Sequence, residues 1–267
     1  MLIFSENLSE EELTKKVKDF ANNLDIDDVG IADVENDVFL VASPDYQPKN
    51  VLQGAKSVIV LLCRLPKGPF LAPSHKKQSL HRAHHSIMKH LDILAARLAG
   101  FIESFGYYAL TIPAYNPITI NKTNPMGLIS LKLAGLAAGL GKIAKSELLM
   151  HPKYGTLVRL SAVVTTAKLL PDPMSLKVVC TDCGLCIENC PAKAFDKKGN
   201  YLPNKCSRKS MEHGNFVLHK FTPEYLKNIE MIINTTLLEY SISCSVCQEI
   251  CPINKIPKIK RKTIENK

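Results

Sequence analysis

The sequence predicts an α/β body joined to a small cysteine-rich module. One observation is the placement of the cysteines: only Cys63 lies in the first 179 residues, and the other eight crowd the last third of a 267-residue chain. A second is the first two-thirds, where amphipathic helical stretches alternate with short β-branched apolar runs, the pattern of helices covering a sheet. The third is Pro171-Asp172-Pro173, since paired prolines interrupt regular structure shortly before the cysteines begin. The expected division is residues 1–170 for a cofactor and substrate body, and residues 171–267 for the cysteine module with a basic tail.

The elements follow in order. Residues 8–24 read as an amphipathic helix opened by a capping-box pair, Ser9 and Glu12. Residues 29–32 and 57–63 (SVIVLLC) are short apolar runs of buried-strand type. Between residues 80 and 105, apolar side chains recur at Leu80, Ile87, Leu91, Leu94, Leu98, Ile102 and Phe105, which predicts a long helix ended by Gly106. Residues 107–112 resemble a strand, 128–138 a small-residue helix and 156–166 (TLVRLSAVVTT) another strand. After Gly199 the expectation is loop and short helix, with one helix near Pro223 and another before Cys244.

Hydrophobic residues at 46% and charged residues at 22% are globular proportions and exclude wholesale disorder. Met1 to Phe4 is followed at once by Ser5 and Glu6, with no basic n-region and no long apolar h-region, so the expected location is cytoplasmic. Residues 126–144 are the most apolar stretch, but Lys132, Lys142, Gly135, Gly139 and Gly141 break it, so no membrane span is expected. A net charge of +9 and a pI near 9.0 permit an acidic partner such as tRNA, an acidic electron donor or a phosphate-bearing cofactor, without choosing among them. The basic residues from 255 to 267 read as a solvated tail.

Cys180-x2-Cys183-x2-Cys186-x3-Cys190-Pro191 is the ligand run of bacterial ferredoxins, in which the fourth cysteine reaches the other cluster. A second group, Cys244-x2-Cys247-x3-Cys251-Pro252, has the same ending but carries Ser at position 241, and Cys206 is left to fill that vacancy. Crossing the tails gives Cys180, Cys183, Cys186 and Cys251 for one [4Fe-4S] cluster and Cys190, Cys206, Cys244 and Cys247 for the other. The alternative is a pair of zinc sites of four thiolates each. Zinc ribbons pair two C-x2-C knuckles and have no use for a third cysteine at the next x2 step or for the repeated x3-C-P ending. Cytoplasmic disulfides are disfavoured. Cys63 reads as a small buried hydrophobe.

With the detached Cys206, His213 and Gly214, and the group at 244–252, the module resembles that of the epoxyqueuosine reductases and the related reductive dehalogenases. Upstream, residues 138–146 (AGLGKIAKS), His151-Pro152-Lys153-Tyr154-Gly155, Val158-Arg159-Leu160 and residues 52–60 are similar to stretches of that family. The resemblance implies an N-terminal α/β cobalamin-binding, nitroreductase-like domain plus a C-terminal bacterial-ferredoxin-like double [4Fe-4S] domain. It implies an enzyme in which the clusters feed low-potential electrons to a cobalamin (corrinoid) centre for a reductive reaction. Corrinoid contacts are expected at Ser130, Gly139, Gly141, His151, Tyr154 and Gly155. The implied partners are an electron donor such as ferredoxin or flavodoxin, and a small-molecule substrate or a corrinoid protein.

Epoxyqueuosine reductases carry an acidic proton donor before the Gly-Leu-Gly segment, whereas residues 121–127 (NKTNPMG) contain no Asp or Glu. Reduction of a tRNA base by the usual general-acid route is therefore less expected than an electron-transfer role without a substrate of its own. Reductive dehalogenases use a tyrosine as proton donor, and Tyr115 is the candidate among Tyr107, Tyr108 and Tyr115, against simple packing.

Other readings fail on spacing. Gly141-Lys142 lacks the first glycine and the hydroxyl of a phosphate-binding loop, and Gly139-x-Gly141-x-x-Ala144 follows a helical segment where a dinucleotide fingerprint follows a strand. Close helix–turn packing is the bland reading of these glycines. Five of the eight histidines fall between His75 and His90. His81 and His85 stand one turn apart but lack the Glu of H-E-x-x-H. His84 continues the apolar face of the long helix, and the histidines read as solvated or core side chains, with contact to substrate, proton or cobalt the alternative.

Overall fold

The run at 57–63 lacks polar alternation because its strand is covered on both faces. In the computed structural model, which describes residues 8–114, 119–121, 124–210 and 244–257, this run forms β2 (Ser57–Arg64). It lies between β1 (Asp28–Asp33) and β8 (Val158–Thr165), and β3 (Ala109–Ile112) completes the sheet in the order β1-β2-β8-β3. Every pairing is antiparallel. Alternating helix and strand usually signals parallel strands; here the chain returns across the sheet, so the layers are as expected while the strand directions differ from that norm.

Side chains of β2 divide by parity. Ile59, Leu61 and Cys63 pack with α1 (Glu10–Asn22) and α3 (Lys76–Glu103), whereas Val58, Val60 and Leu62 face α4 (Leu131–Ala137). The result is a three-layer α/β/α sandwich. α1 begins with the expected capping box, Glu12 N–H donating to Ser9 Oγ at 3.2 Å and Ser9 N–H to Glu12 Oε2 at 2.9 Å. The long helix α3 buries Leu80, Leu91, Leu94, Leu98 and Ile102 as its periodicity requires, and also His84 and His85.

The remaining elements are small. A short α2 spans Pro48–Val51. A β4–β5 hairpin pairs Thr119–Asn121 with Asn124–Met126, and a second pairs β6 (Lys142–Ile143) with β7 (Leu149–Met150). The module contributes α5 (Leu185–Glu188), α6 (Pro203–Ser210) and α7 (Val246–Ile250). The helices expected near Pro223 and before Cys244 lie outside the described residues, as does Tyr115.

Pro171-Asp172-Pro173 is a pinned segment. Asp172 N–H donates to the Ile31 carbonyl at 2.8 Å, its Oδ2 accepts from Ile31 N–H at 2.9 Å, and its carboxylate pairs with Lys18 of α1. No helix among the described residues is long and apolar enough to cross a membrane.

Candidate metal centre

Two short helices carry the cysteines. Cys186 lies in α5 and Cys247 in α7, each helix runs into the x3-Cys-Pro step at Cys190 or Cys251, and the two pack against each other. Gly184 starts α5 from a left-handed φ of +75°, where a side chain would be strained. A recess is lined by Cys180, Cys183, Cys186, Cys247 and Cys251 from the module and by Ala144, Lys145 and Met150 from the body. Among the described residues no three His, Cys, Asp or Glu side chains converge to chelate a single ion; the thiols instead ring a space.

The thiols fall into two neighbourhoods. Burial raises the Cys186 and Cys251 thiols, and the charges they feel from other cysteines come from Cys180 and Cys183, with Cys251 also acting on Cys186. Burial likewise raises Cys206, whose cysteine neighbours are Cys244 and Cys190, and pushes Cys247 up to about 12, with Cys206 and Cys244 its foremost charged neighbours. Cys247 also feels Cys186, so the two neighbourhoods adjoin. Ala194 N–H donates to Cys190 Sγ at 3.4 Å, the kind of bond that stabilises a thiolate. Cys183 is exposed, whereas Cys206 of α6 and Cys247 of α7 are half-buried beside Tyr201.

The second cysteine helix is fastened to the body by a buried amide joint that sequence reasoning missed. Asn254, 1% exposed, accepts from Thr156 N–H at 2.9 Å and donates to Thr156 Oγ1 at 2.8 Å and to the Gln248 carbonyl at 2.6 Å. Gln248 in turn donates to the Thr156 carbonyl at 2.7 Å. Ion pairs add to it, Lys76 with Glu249 and Lys145 with Asp182 at 2.7 Å. An Asn two residues after a Cys-Pro carries no recognisable signal, because its partner lies 98 positions away.

The residues expected to touch a corrinoid have other occupations. A Cβ on Gly139 would meet the Pro173 carbonyl oxygen at 2.4 Å, on Gly141 that of Met150 at 2.3 Å, and on Gly155 the Asn254 Oδ1 at 2.2 Å. Their smallness serves protein packed on protein, the bland reading. His151 is buried, with Nε2 against Asp28 Oδ2 at 2.8 Å and Nδ1 accepting from the amides of Lys153 and Tyr154 at 3.1 and 3.3 Å. The His151 bond is the leading cause of the lowered Asp28 pKa. Tyr154 stacks on His151, and Arg64 and Lys153 flank its ring. Ser130 precedes α4 and caps nothing with its hydroxyl. Cys63 is buried in the apolar layer with its thiol raised to about 11, chiefly by burial, as expected of an inert side chain.

Together these features define a double-cluster cysteine module docked on an antiparallel α/β sandwich. Residues 179–254 match the family described as "4Fe-4S double cluster binding domain". The chain is similar to epoxyqueuosine reductases of Staphylococcus aureus (25% identical over 78% of this chain and 51% of that one) and Lactococcus garvieae (26%, 78% and 55%). Against the epoxyqueuosine reductase of Pseudomonas aeruginosa the identity is 24% over 95% of this chain and 73% of that one. The chain thus spans about half the length of the first two relatives.

In fold it is similar to an epoxyqueuosine reductase crystallised with a tRNA-Tyr epoxyqueuosine-modified stem loop (TM-score 0.64, 20% identity, 92% of this chain and 66% of that one). A reductive dehalogenase whose structure suggests a mechanism for B12-dependent dehalogenation gives 0.61, 17%, 91% and 32%. The resemblance read from the sequence, and the fold class it implied, hold.

Proposed function

We propose that the chain is an iron–sulfur oxidoreductase that carries low-potential electrons on two [4Fe-4S] clusters toward an acceptor held by the α/β body. The observation that supports this reading is the gathering of the module's thiols, with Cys180, Cys183, Cys186, Cys247 and Cys251 around one recess and Cys206, Cys244 and Cys190 acting on Cys247. Each cluster, when bound, supplies a one-electron carrier of low potential. The chain's part is to hold four thiolates per set, to shield Cys206 and Cys247 from water, and to present Cys183 to the surface, where a donor such as ferredoxin or flavodoxin would approach. Because burial disfavours thiolates, ligand deprotonation depends on the charge of the iron.

Anaerobic reconstitution tests this directly. About eight iron per chain are expected, falling to about four in Cys251→Ser or Cys206→Ser. Stoichiometric zinc with no sulfide would refute it.

The finer reading, with cobalamin as the acceptor, is not supported by the residues named for it. At Gly139, Gly141 and Gly155 the direction of a Cβ is filled by protein atoms, and both His151 nitrogens are occupied, so these contacts lend the corrinoid reading no support of their own. The chemistry proposed here ends at the clusters and an acceptor of the body. A second reading, reduction of epoxyqueuosine in tRNA, draws on the relatives' names and the net charge of +9. It requires a proton donor outside residues 121–127, which hold no carboxylate. Restoration of queuosine in a deficient strain would favour it; no restoration by a cluster-loaded chain leaves electron transfer to a partner such as a corrinoid protein.

A further inference from the structure

Tyr201 stands where the cysteine module meets the body. It closes a small loop of the module: residue 195 bridges to residue 201, and Leu202 N–H donates to the Ala194 carbonyl at 2.8 Å, just before α6 begins at Pro203. The side chain is half-buried, with its ring centroid 5.5 Å from that of Phe195. Its hydroxyl makes a hydrogen bond with the thiol of Cys206, in the first turn of α6. Burial first, then this bond, raises the phenol's pKa, so the hydroxyl keeps its hydrogen and is the donor, with the sulfur as acceptor. The start of the same loop also donates, since Ala194 N–H reaches Cys190 Sγ at 3.4 Å. The loop thus aims one backbone donor and one side-chain donor at two sulfurs.

The body holds the phenol in place. Lys132 of α4 lies over the Tyr201 ring, its Nζ 5.6 Å from the centroid. Glu147 steadies that ammonium, accepting from it at Oε2 at 2.7 Å and at its carbonyl oxygen at 3.3 Å. Glu147 sits in the turn of the β6–β7 hairpin at a φ of +63°, a left-handed conformation that a residue with a Cβ adopts only at a cost. The aim of the hydroxyl is therefore fixed from both sides, by its own loop and by a cation of the sandwich.

Reduction adds negative charge to a cluster and its sulfurs, so a hydrogen bond donated to a ligating sulfur favours the reduced state. We propose that Tyr201 raises the reduction potential of the cluster that Cys206 ligates, by donating its hydroxyl hydrogen to the Cys206 sulfur. Tyr201 acts through Cys206 and is a positioning residue, not a catalytic one. The inference rests on the oxidoreductase reading, because the same bond to a zinc thiolate would have no redox consequence.

The test is an anaerobic redox titration of the reconstituted full chain, followed by electron paramagnetic resonance and controlled by iron analysis. The parent should show two one-electron steps. Tyr201→Phe keeps the ring and its packing and removes only the donor. One step should then move to lower potential by about tenfold in its equilibrium constant, which is about 59 mV for one electron. The other step and the iron content should stay at their parent values. Two unmoved steps, or two steps moved equally, would overturn the proposal. Where Tyr201→Phe cannot be loaded, crystals of the loaded parent decide: a phenol oxygen within hydrogen-bond reach of Cys206 Sγ supports the assignment, and one turned away from it overturns it. A parent that binds zinc and shows no redox step removes the oxidoreductase reading itself, whereas a parent with two steps and an unmoved variant removes only the role of Tyr201.

Discussion

Replacing Asn254 by Ala removes three hydrogen bonds at one stroke and strands the Thr156 amide and the Gln248 carbonyl in a buried setting. Each stranded backbone group costs about 1–3 kcal/mol, so the joint should lose about 3 kcal/mol. For a protein of this size that is a fall of roughly 6–12 °C in apparent Tm. Cys251 lies three residues earlier, and its carbonyl accepts from Asn254 N–H at 3.1 Å, so loosening Asn254 also loosens a proposed cluster ligand. Thermal melts of the anaerobic, cluster-loaded chain, followed by far-ultraviolet dichroism and by cluster absorbance, measure both effects. The absorbance should bleach at a lower temperature than the loss of helix signal from the body. Asn254→Asp keeps the acceptor for Thr156 N–H but loses both donor bonds, and should fall between parent and Ala. A shift of less than 2 °C for Ala with parental bleaching would mean that the joint neither stabilises the chain nor positions Cys251.

Gly139→Ala puts a Cβ at φ +77° and 2.4 Å from the Pro173 carbonyl oxygen, and should cost about 2 kcal/mol with unchanged iron. A stable variant that loses only cobalamin binding would restore the corrinoid reading of that glycine. Cys63→Ala should cost about 1 kcal/mol and no iron, and the parent thiol should resist alkylation at neutral pH because burial raises its pKa to about 11. For His84 the folded pKa lies below the unfolded value, near 2 against 6.5, so the unfolded chain binds the extra proton between those values and stability falls as pH falls through them. Stability measured by urea from pH 7 to 5 should therefore decline with a slope shallower in His84→Phe by up to about 1.4 kcal/mol per pH unit; equal slopes would show that His84 is not held neutral.

The parts legible in the sequence are those set by local spacing. The 3.6-residue period of α3 fixed its buried face, and the unbroken apolar run of β2 announced a strand covered on both sides. The cysteine spacings marked the module whose thiols the fold gathers around a recess. The glycines' neighbours were not legible, because a glycine records only that something comes close, not what it is. At Gly155 the close neighbour is the side chain of a residue 99 positions later, and at Gly139 a proline carbonyl 34 positions on. The partner of His151 was hidden too, since Asp28, 123 positions away, has no pattern to mark it.

These long-range partners have a common consequence for the placing of the module. Asp172 holds the entry of the module to β1, Asn254 and Gln248 hold its end to Thr156, and Lys145 reaches Asp182 between the first two cysteines. The buried joint at Thr156 stands three residues before Arg159 on the same strand-forming run, and the Lys76–Glu249 pair ties the helix bearing His84 to the helix bearing Cys247. A shift of either cysteine helix against the sandwich would therefore break buried hydrogen bonds as well as surface ion pairs. The former are the more costly, because their groups have no water to turn to. The module is thus fixed to the body by buried bonds from α7 and by ion pairs on either side, an arrangement that keeps its cysteines at a constant distance from the sandwich without any covalent cross-link.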